Sequence, residues 1–340
     1  MDFRVTDDQR ELADGIRAMV TGRLSLDHLR ANEGAEVAIS AEDWVRLGET
    51  GVFALTLPGA EGGVGLAMAD AVVVYEELGR ALVPGPLVGT FLAARERLVD
   101  GAAEGLARVG VHTSGDGPIL VEHLPSLTAL FVLSGAHQSS TARLMVPAPP
   151  VTGARRVAAP LCPLTPMWHL SSLPAGEPVA DVGSRLVRDG SLLTAALQVG
   201  HAAETLDLAV AYAKDRRQFG QPIGSFQAVK HICADMLVRA EVARSAVHAA
   251  ACLADDAEVV AAESEGSGRS PALVVSRAVM GAKVLADEAA IANARAAIQV
   301  HGGMGFTWEV PLHLHLKRSR VLATTFGTPS QLSAALAALL

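Results

Sequence analysis

Two short segments of the chain combine residue types that suit contact with a phosphate group. Residues 215–227 read AspArgArgGlnPheGlyGlnProIleGlySerPheGln, and residues 299–306 read GlnValHisGlyGlyMetGlyPhe. Arg216 supplies a planar fork of donors for a pyrophosphate, and Gly302 and Gly303 let backbone N–H groups approach a ligand that a Cβ would exclude. Taken singly, each segment is as compatible with a salt-bridged helix end or an ordinary tight turn.

Two titratable residues are candidates for a general base by residue type. Asp189 precedes a long helical pattern, and His301 lies in the glycine-rich segment. A histidine can accept a proton near neutral pH, but in a turn it more often serves as a local hydrogen-bonding residue. The local interpretation of His301 is therefore preferred.

A second histidine cluster could suggest a metal or anion site. His313 and His315 flank Leu314, and three bases follow at Lys317, Arg318 and Arg320. Residues two apart on a helix point in different directions, so a metal shared by the two histidines is not expected. The bases are expected to face solvent, a subunit boundary or an acidic ligand, and no role is assigned to them.

Composition excludes several classes of protein. The 340 residues are half hydrophobic, so a large core is available, and the formal net charge of -8 with 4% aromatic residues argues against nucleic-acid binding. No apolar run approaches the roughly 18 residues that span a bilayer, and the acidic start does not match a signal peptide. Cys162, Cys233 and Cys252 show no CxxC spacing and are predicted to be buried thiols. We expect a cytoplasmic protein with neither membrane nor metal.

Hydrophobic periodicity divides the chain into three regions. Residues 1–104 are predicted to be helical, with acidic caps at Asp7 and Asp8 and a cap at Ser40 before Trp44. Residues 105–190 contain short apolar runs between Gly, Pro and Ser, which is typical of a small β domain. In residues 191–340, apolar residues step by threes and fours from Leu192, so long antiparallel helices are predicted.

The two motif segments resemble signatures of the acyl-CoA dehydrogenase family. The amino-terminal order fits as well, with LeuGlyGluThrGlyVal at 47–52, ProGlyAlaGluGlyGlyValGly at 58–65 and GluLeuGlyArgAlaLeu at 77–82. The resemblance covers both helical ends of the chain. It implies a mostly α fold with an amino-terminal helical domain, a small middle β domain and a carboxy-terminal four-helix bundle, the same α–β–α order that periodicity predicts.

The resemblance also implies a cofactor and the residues that contact it. Family members hold FAD partly through residues that a neighbouring subunit supplies from these motifs. The positions of this sequence that match, and that we expect to contact FAD, are Arg216, Phe219, Gln227, Gln299, Gly302, Gly303 and Thr328.

The sequence departs from the family where the catalytic base is expected. Family members use a Glu to remove the α proton of an acyl-CoA. The usual position, before a GlyThr pair, is Phe326 here, and the alternative position near the start of the first bundle helix is Gly190 or Ser191. No catalytic base is therefore predicted, although Asp189 lies only one residue away. The middle region also lacks the family's flavin-gripping ThrGluPro segment and is expected to be truncated.

These departures resemble the short subunits of actinobacterial heterotetramers that oxidise steroid side-chain CoA thioesters. The resemblance implies a subunit that shares FAD with a homologous full-length partner, which supplies the Glu, and that passes electrons to an electron-transfer flavoprotein or similar acceptor. The isolated chain is expected to be inactive. Two alternatives stay open: a self-sufficient homotetramer with a relocated base such as Asp189, and a flavin-free acyl-CoA-binding or scaffolding module.

Overall fold

The amino-terminal region consists of helices joined by short turns in the computed structural model. The structure describes residues 4–115, 117–135, 140–148, 150, 153–174, 176–256 and 270–339. The helices of the first region are α1 (Asp7–Arg23), α2 (Leu26–Arg30), α3 (Ala41–Glu49), α4 (Met68–Arg80) and α5 (Leu87–Arg95). Thr6 caps α1 by accepting from Gln9 N, so Asp7 and Asp8 lie inside the first turn instead of capping it. Ser40 caps α3 as predicted.

The middle region forms two small sheets. Its strands are β1 (Val109–Thr113), β2 (Ile119–Glu122), β3 (Ala129–Ser134), β4 (Thr141–Met145), β5 (Arg155–Arg156), β6 (Met167–Leu170) and β7 (Glu177–Val179). One sheet has the order β1-β3-β4-β7, with β1 and β3 parallel, and the other has the order β2-β6-β5. Trp168 and Leu170 of β6 alternate inward and pack in the core between the sheets.

The carboxy-terminal region is a bundle of long helices. It comprises α6 (Gly183–Asp215), a two-residue hairpin of β8 (Arg217–Gln218) and β9 (Gln221–Pro222), α7 (Gln227–Asp255), α8 (Pro271–His301), α9 (Leu312–Leu322) and α10 (Pro329–Ala337). Pro271 opens α8 as predicted, behind the cap Ser270. The first bundle helix begins at Gly183, earlier than the predicted start near 191, because residues 183–190 carry glycines and charges that hide the apolar period.

The amino-terminal region and the bundle share one core. Helices α4 and α6 cross closely, and a Cβ added at Gly79 would overlap the backbone of Leu197, while one at Gly200 would overlap that of Glu76. Two glycines thus let the backbones touch and let apolar residues of α4, α5, α6 and α8 join one cluster.

The predicted α–β–α architecture is confirmed. The predicted burial of two cysteines and the predicted surroundings of one arginine are wrong. Cys162 is buried, but Cys233 and Cys252 are only half-buried because α7 is covered on one side alone. Arg318 does not face solvent, since its side chain reaches inward to Glu122 and Thr165. No helix in the described ranges is long and apolar enough to cross a bilayer.

Candidate functional site

The two motif segments meet at one end of the bundle. Helix α6 ends at Asp215 and the β8–β9 hairpin follows, while α8 ends at His301 and a 3-10 turn, Gly302–Phe306, follows. Tyr212 and His301 stack with ring centroids 4.1 Å apart and an interplanar angle of 17°. This stack ties the end of α6 to the glycine turn, so Arg216 and Gly302 belong to one surface, which we call the bundle-end surface.

The predicted flavin-contact residues at this end are exposed. They are Arg216, Phe219, Gln227, Gln299, Gly302 and Gly303. Phe219, at the hairpin tip, is 92% exposed, and Phe306, at the end of the glycine turn, is 79% exposed. Phenylalanine side chains are usually covered at least in part, and these two are accessible to another molecule.

The chain's own packing does not require the second glycine of the turn. A Cβ built on Gly303 meets no atom within 4 Å, and Gly303 is not among the residues with positive φ. Gly305 differs, because its Cβ would lie 2.6 Å from the Ile298 carbonyl oxygen. Gly303 therefore faces open space where a ligand can approach the backbone.

Two sequence candidates have local structural roles. His301 Nδ1 lies 2.8 Å from the Ala297 carbonyl oxygen, as its local interpretation predicts, and burial lowers its pKa. Thr328 lies away from the two motif segments in the chain, where it caps α10 in a capping box with Gln331. Its hydroxyl thus already serves the helix end.

The two positions that the family resemblance assigns to a base contact each other. Phe326 is buried, adopts φ +59 and places its ring directly on Gly190. A Cβ at Gly190 would lie 2.8 Å from Phe326 Cε2 and would overlap Cζ. The ring thus fills the space next to both positions, and neither offers a carboxylate.

Asp189 points elsewhere and is held between two arginines. Arg188 Nε donates to its Oδ1 at 2.6 Å, and Arg95 Nη1 lies 3.2 Å from its Oδ2. The carboxylate is 1% exposed. The carboxylate is therefore part of a buried ion-pair cluster with Arg188 and Arg95.

A cavity of about 50 Å³ lies beside Phe326, where α5, β1, β2, α6 and α9 meet. We call it the junction cavity. Its walls include Leu87, Val111, Leu197 and Phe326. Ligand pockets usually enclose roughly 300–1,000 Å³, so this space does not hold a flavin ring or a long acyl group.

The bundle core contains polar residues that the sequence analysis did not single out. Lys283 Nζ donates to Asp287 Oδ2 at 2.6 Å, with both side chains fully buried, and Gln198 donates to the same carboxylate. Burial lowers the pKa of Lys283 and raises that of Asp287, while their pairing opposes both shifts. The i, i+4 spacing of this pair is visible in the sequence and could have signalled it.

His315 is also buried, and its partner comes from another helix. Its Nδ1 lies 3.0 Å from Nδ1 of His201 on α6. Burial, Arg80 and His313 lower the pKa of His315 to about 3. In the described residues, no group of three His, Cys, Asp or Glu side chains is placed to hold a metal ion. No sequence pattern joins positions this far apart, so the pair could not be predicted.

Both helical regions match domain models of one protein family. Residues 6–104 match the family model for the acyl-CoA dehydrogenase amino-terminal domain, and residues 185–338 match that for the carboxy-terminal domain. The acyl-CoA dehydrogenase IpdE2 of Mycolicibacterium smegmatis is 33% identical over 333 residues, covering 96% of this chain and 97% of the relative.

Two solved structures share the fold along the whole chain. The Tcur3481-Tcur3483 steroid ACAD superposes with a TM-score of 0.80 at 23% identity, covering 99% of this chain and 98% of that one. The ChsE4-ChsE5 complex from Mycobacterium tuberculosis gives a TM-score of 0.79 at 20% identity, covering 99% and 98%. Both matches show the shared architecture.

Proposed function

The chain belongs to the acyl-CoA dehydrogenase family, and from this premise we propose that it is the non-catalytic subunit of a heteromeric, FAD-dependent enzyme. In this assembly a homologous full-length subunit supplies the catalytic Glu, and this chain supplies flavin contacts. The enzyme introduces an α,β double bond into an acyl-CoA thioester. The observation that carries the proposal is the Phe326 ring on Gly190, which occupies the space beside both family base positions.

The bundle-end surface fits a flavin dinucleotide shared between subunits. Arg216 is exposed directly after α6, so its guanidinium is accessible to a phosphate. Gly303 leaves room for close backbone approach, and exposed Gln227 and Gln299 offer amide groups to a polar ligand. FAD, when bound, accepts the β hydride of the acyl group. This chain's contribution is to bind and orient it.

The junction cavity supports a division of labour between subunits. The space beside Phe326, about 50 Å³, is small for a flavin ring next to an acyl group. The chain therefore offers its outer surface to a shared cofactor and leaves proton abstraction to the partner's Glu. General-base catalysis contributes about 10²–10⁴-fold, so a site without the base loses at least that factor.

Similar proteins suggest the substrate and the assembly. One structural neighbour is described as a steroid ACAD and is named for two proteins, Tcur3481 and Tcur3483. The other is a complex of ChsE4 with ChsE5. We extend these features to this chain as a steroid side-chain CoA substrate and a heterotetrameric assembly, with electron-transfer flavoprotein or a similar acceptor taking the electrons.

Expression with and without a partner tests the proposal. The chain purified alone should carry no flavin absorbance and no acyl-CoA-dependent dye reduction. After co-expression with a homologous full-length subunit from the same genome, it should copurify with that subunit and with FAD. A flavin-loaded, active protein made alone would favour a self-sufficient homotetramer, and a complex that never binds flavin would favour a scaffolding module.

A further inference from the structure

A second cavity, of about 210 Å³, lies where the ends of α1 and α4 meet α6 and the start of α9. We call it the helix-end cavity. Among the described residues it shares no lining residue with the junction cavity, and the proposed function does not use it. An apolar cavity of roughly 150 Å³ can hold benzene, so this one has room for a six-membered ring with a short substituent.

Much of the lining of the helix-end cavity is apolar. The apolar side chains belong to Val20, Leu24, Leu26, Leu82 and Pro311. Val20 and Leu24 pack in the main core, and Leu82 packs in a smaller cluster with Leu26 against it. Because these side chains are fixed by the cores behind them, the apolar wall is already formed and suits the apolar part of a ligand.

A network of charged side chains forms the polar part of the cavity. Arg80 and Glu204 both line the cavity, and Arg80 Nη2 lies 3.1 Å from Glu204 Oε2. The same guanidinium also pairs with Asp207 and lies 3.8 Å from Glu77. Glu77 in turn accepts from Arg17 at 2.7 and 2.8 Å. In this network of described residues, three carboxylates share two guanidinium groups, which leaves a surplus of negative charge beside the cavity.

The charge of Glu204 is incompletely compensated by its surroundings. Its side chain is 28% exposed. Burial raises the pKa of Glu204; Arg80 opposes this shift, whereas Asp207 and Glu77 add to it. A raised pKa means that the surroundings disfavour the negative charge, so a positively charged group in the cavity would stabilise it.

Two helix ends add to the negative potential. Helix α1 ends at Arg23 and α4 ends at Arg80, and residues from both last turns line the cavity. The carboxy end of a helix carries a partial negative charge that favours cations. Helix α9 begins at the same place, but its N-cap Pro311 has no N–H to donate. The helix ends and the carboxylates therefore favour a ligand of the same sign.

His315 offers an acceptor to the same space. It lines the cavity and is 1% exposed, and its Nδ1 lies 3.0 Å from Nδ1 of His201. The two ring nitrogens point in nearly opposite directions, so Nε2 faces away from His201. The ring is neutral, since burial, Arg80 and His313 lower its pKa to about 3. When Nδ1–H donates to His201, Nε2 carries a lone pair that can accept from an N–H donor.

We propose that the helix-end cavity binds a small primary amine in its ammonium form, attached to an aromatic or alicyclic six-membered ring. The ammonium group donates to the Glu204 carboxylate and to His315 Nε2, and the ring packs against the apolar wall. The site is built from residues of this chain alone, and it does not depend on flavin being shared.

Calorimetric titration of the full chain at neutral pH and constant salt tests the proposal with benzylamine, benzyl alcohol, ammonium chloride and benzoate. One saturable site is expected for benzylamine. Benzyl alcohol has the ring without the charge, and ammonium has the charge without the ring, so each should bind at least about tenfold more weakly. Benzoate should not bind. If benzyl alcohol, ammonium or benzoate bound as tightly as benzylamine, the proposal would be overturned.

Two variants locate the binding in the helix-end cavity. Glu204→Gln removes the charge with little change in shape, and should weaken benzylamine binding at least about tenfold while leaving benzyl alcohol binding unchanged. Glu11→Gln, at an exposed position on α1 that does not line the cavity, is the matched control and should leave benzylamine affinity unchanged.

Ala81→Leu keeps the test decisive if Glu204→Gln fails to fold. Ala81 lines the cavity at the end of α4, so the larger side chain fills it and benzylamine binding should be lost. Absence of saturable benzylamine binding by the wild-type chain would overturn the proposal. Benzylamine affinity unchanged in a folded Glu204→Gln or Ala81→Leu protein, or weakened as much by Glu11→Gln as by Glu204→Gln, would overturn it as well.

Discussion

At the scale of single residues, Phe326 and Gly190 behave as a matched pair. The ring lies where any Cβ at position 190 would be, so the glycine is required by the phenylalanine. We predict that Gly190→Ala lowers the free energy of unfolding by about 1–3 kcal/mol through overpacking. In a Phe326→Ala background the same change should be neutral or stabilising, because the obstructing ring is gone.

Denaturant unfolding of the four proteins in this cycle measures the coupling. Gly281→Ala is the control, since Gly281 lies within α8 and its Cβ would meet no atom within 4 Å. That change should stabilise the chain by roughly 0.5–1 kcal/mol through helix propensity. If Gly190→Ala lowered the free energy of unfolding equally in the wild-type and Phe326→Ala proteins, the Phe326 ring would not occupy this space in solution.

Arg216 carries the second residue-scale prediction. Replacing it by alanine should weaken FAD retention by the co-expressed complex by about 1.5–3 kcal/mol, the value of a charge-assisted hydrogen bond. Arg23→Ala, an exposed arginine in the last turn of α1, removes the same charge away from the bundle-end surface. Flavin absorbance per complex after dialysis measures both. Equal flavin retention in Arg216→Ala and wild type would contradict the assignment.

At the scale of elements, the glycine turn after α8 separates folding from binding. Gly303→Ala should leave the thermal stability of the isolated chain unchanged, because the added methyl group meets nothing, but should weaken flavin retention by the complex. Gly305→Ala should instead destabilise the isolated chain, because its methyl group would press on the Ile298 carbonyl. Thermal melts of the isolated chain and the flavin content of the complex are measured for both variants. If Gly303→Ala and Gly305→Ala gave the same melting temperature and the same flavin content, the separate roles of the two glycines would be refuted.

Some elements and contacts of the fold could be predicted from the sequence and others could not. Helix α8 was predictable because Pro271 and the apolar period lie within a single segment. The parallel pairing of β1 with β3 was not, because it joins strands that are separated by β2. Arg318 was expected to face solvent, a subunit boundary or an acidic ligand, since local spacing cannot show that its side chain reaches Glu122 of β2. Gly190 and Phe326 were each identified as base positions, but their contact depends on tertiary packing.

At the scale of the whole molecule, buried histidines make stability sensitive to acid. His123 and His315 each have a pKa of about 3 in the folded chain, below the ordinary value of 6.5, because burial disfavours the charged ring. Between pH 3 and pH 6.5 these histidines bind more protons in the unfolded chain than in the folded chain. The free energy of unfolding is therefore undiminished by them above about pH 6.5 and falls as the pH drops towards 3. Each group contributes up to about 1.4 kcal/mol per pH unit in that window.

Urea unfolding between neutral pH and pH 5 measures this slope. His315→Gln should flatten it, whereas His231→Gln, at an exposed position on α7, should not. A slope that His315→Gln leaves unchanged would show that the buried ring is not responsible for the acid sensitivity.

The division of catalytic labour is most directly tested in the co-expressed complex. We would measure steady-state dye reduction with a bulky acyl-CoA after replacing either the partner's catalytic Glu by Gln or Asp189 of this chain by Asn. Because Asp189 is held by Arg188 and Arg95 and Phe326 offers no carboxylate, the account predicts that the partner's Glu→Gln abolishes turnover and that Asp189→Asn leaves turnover nearly intact in a folded complex. Full activity without the partner's Glu, together with loss of turnover in a folded, flavin-loaded Asp189→Asn complex, would contradict it.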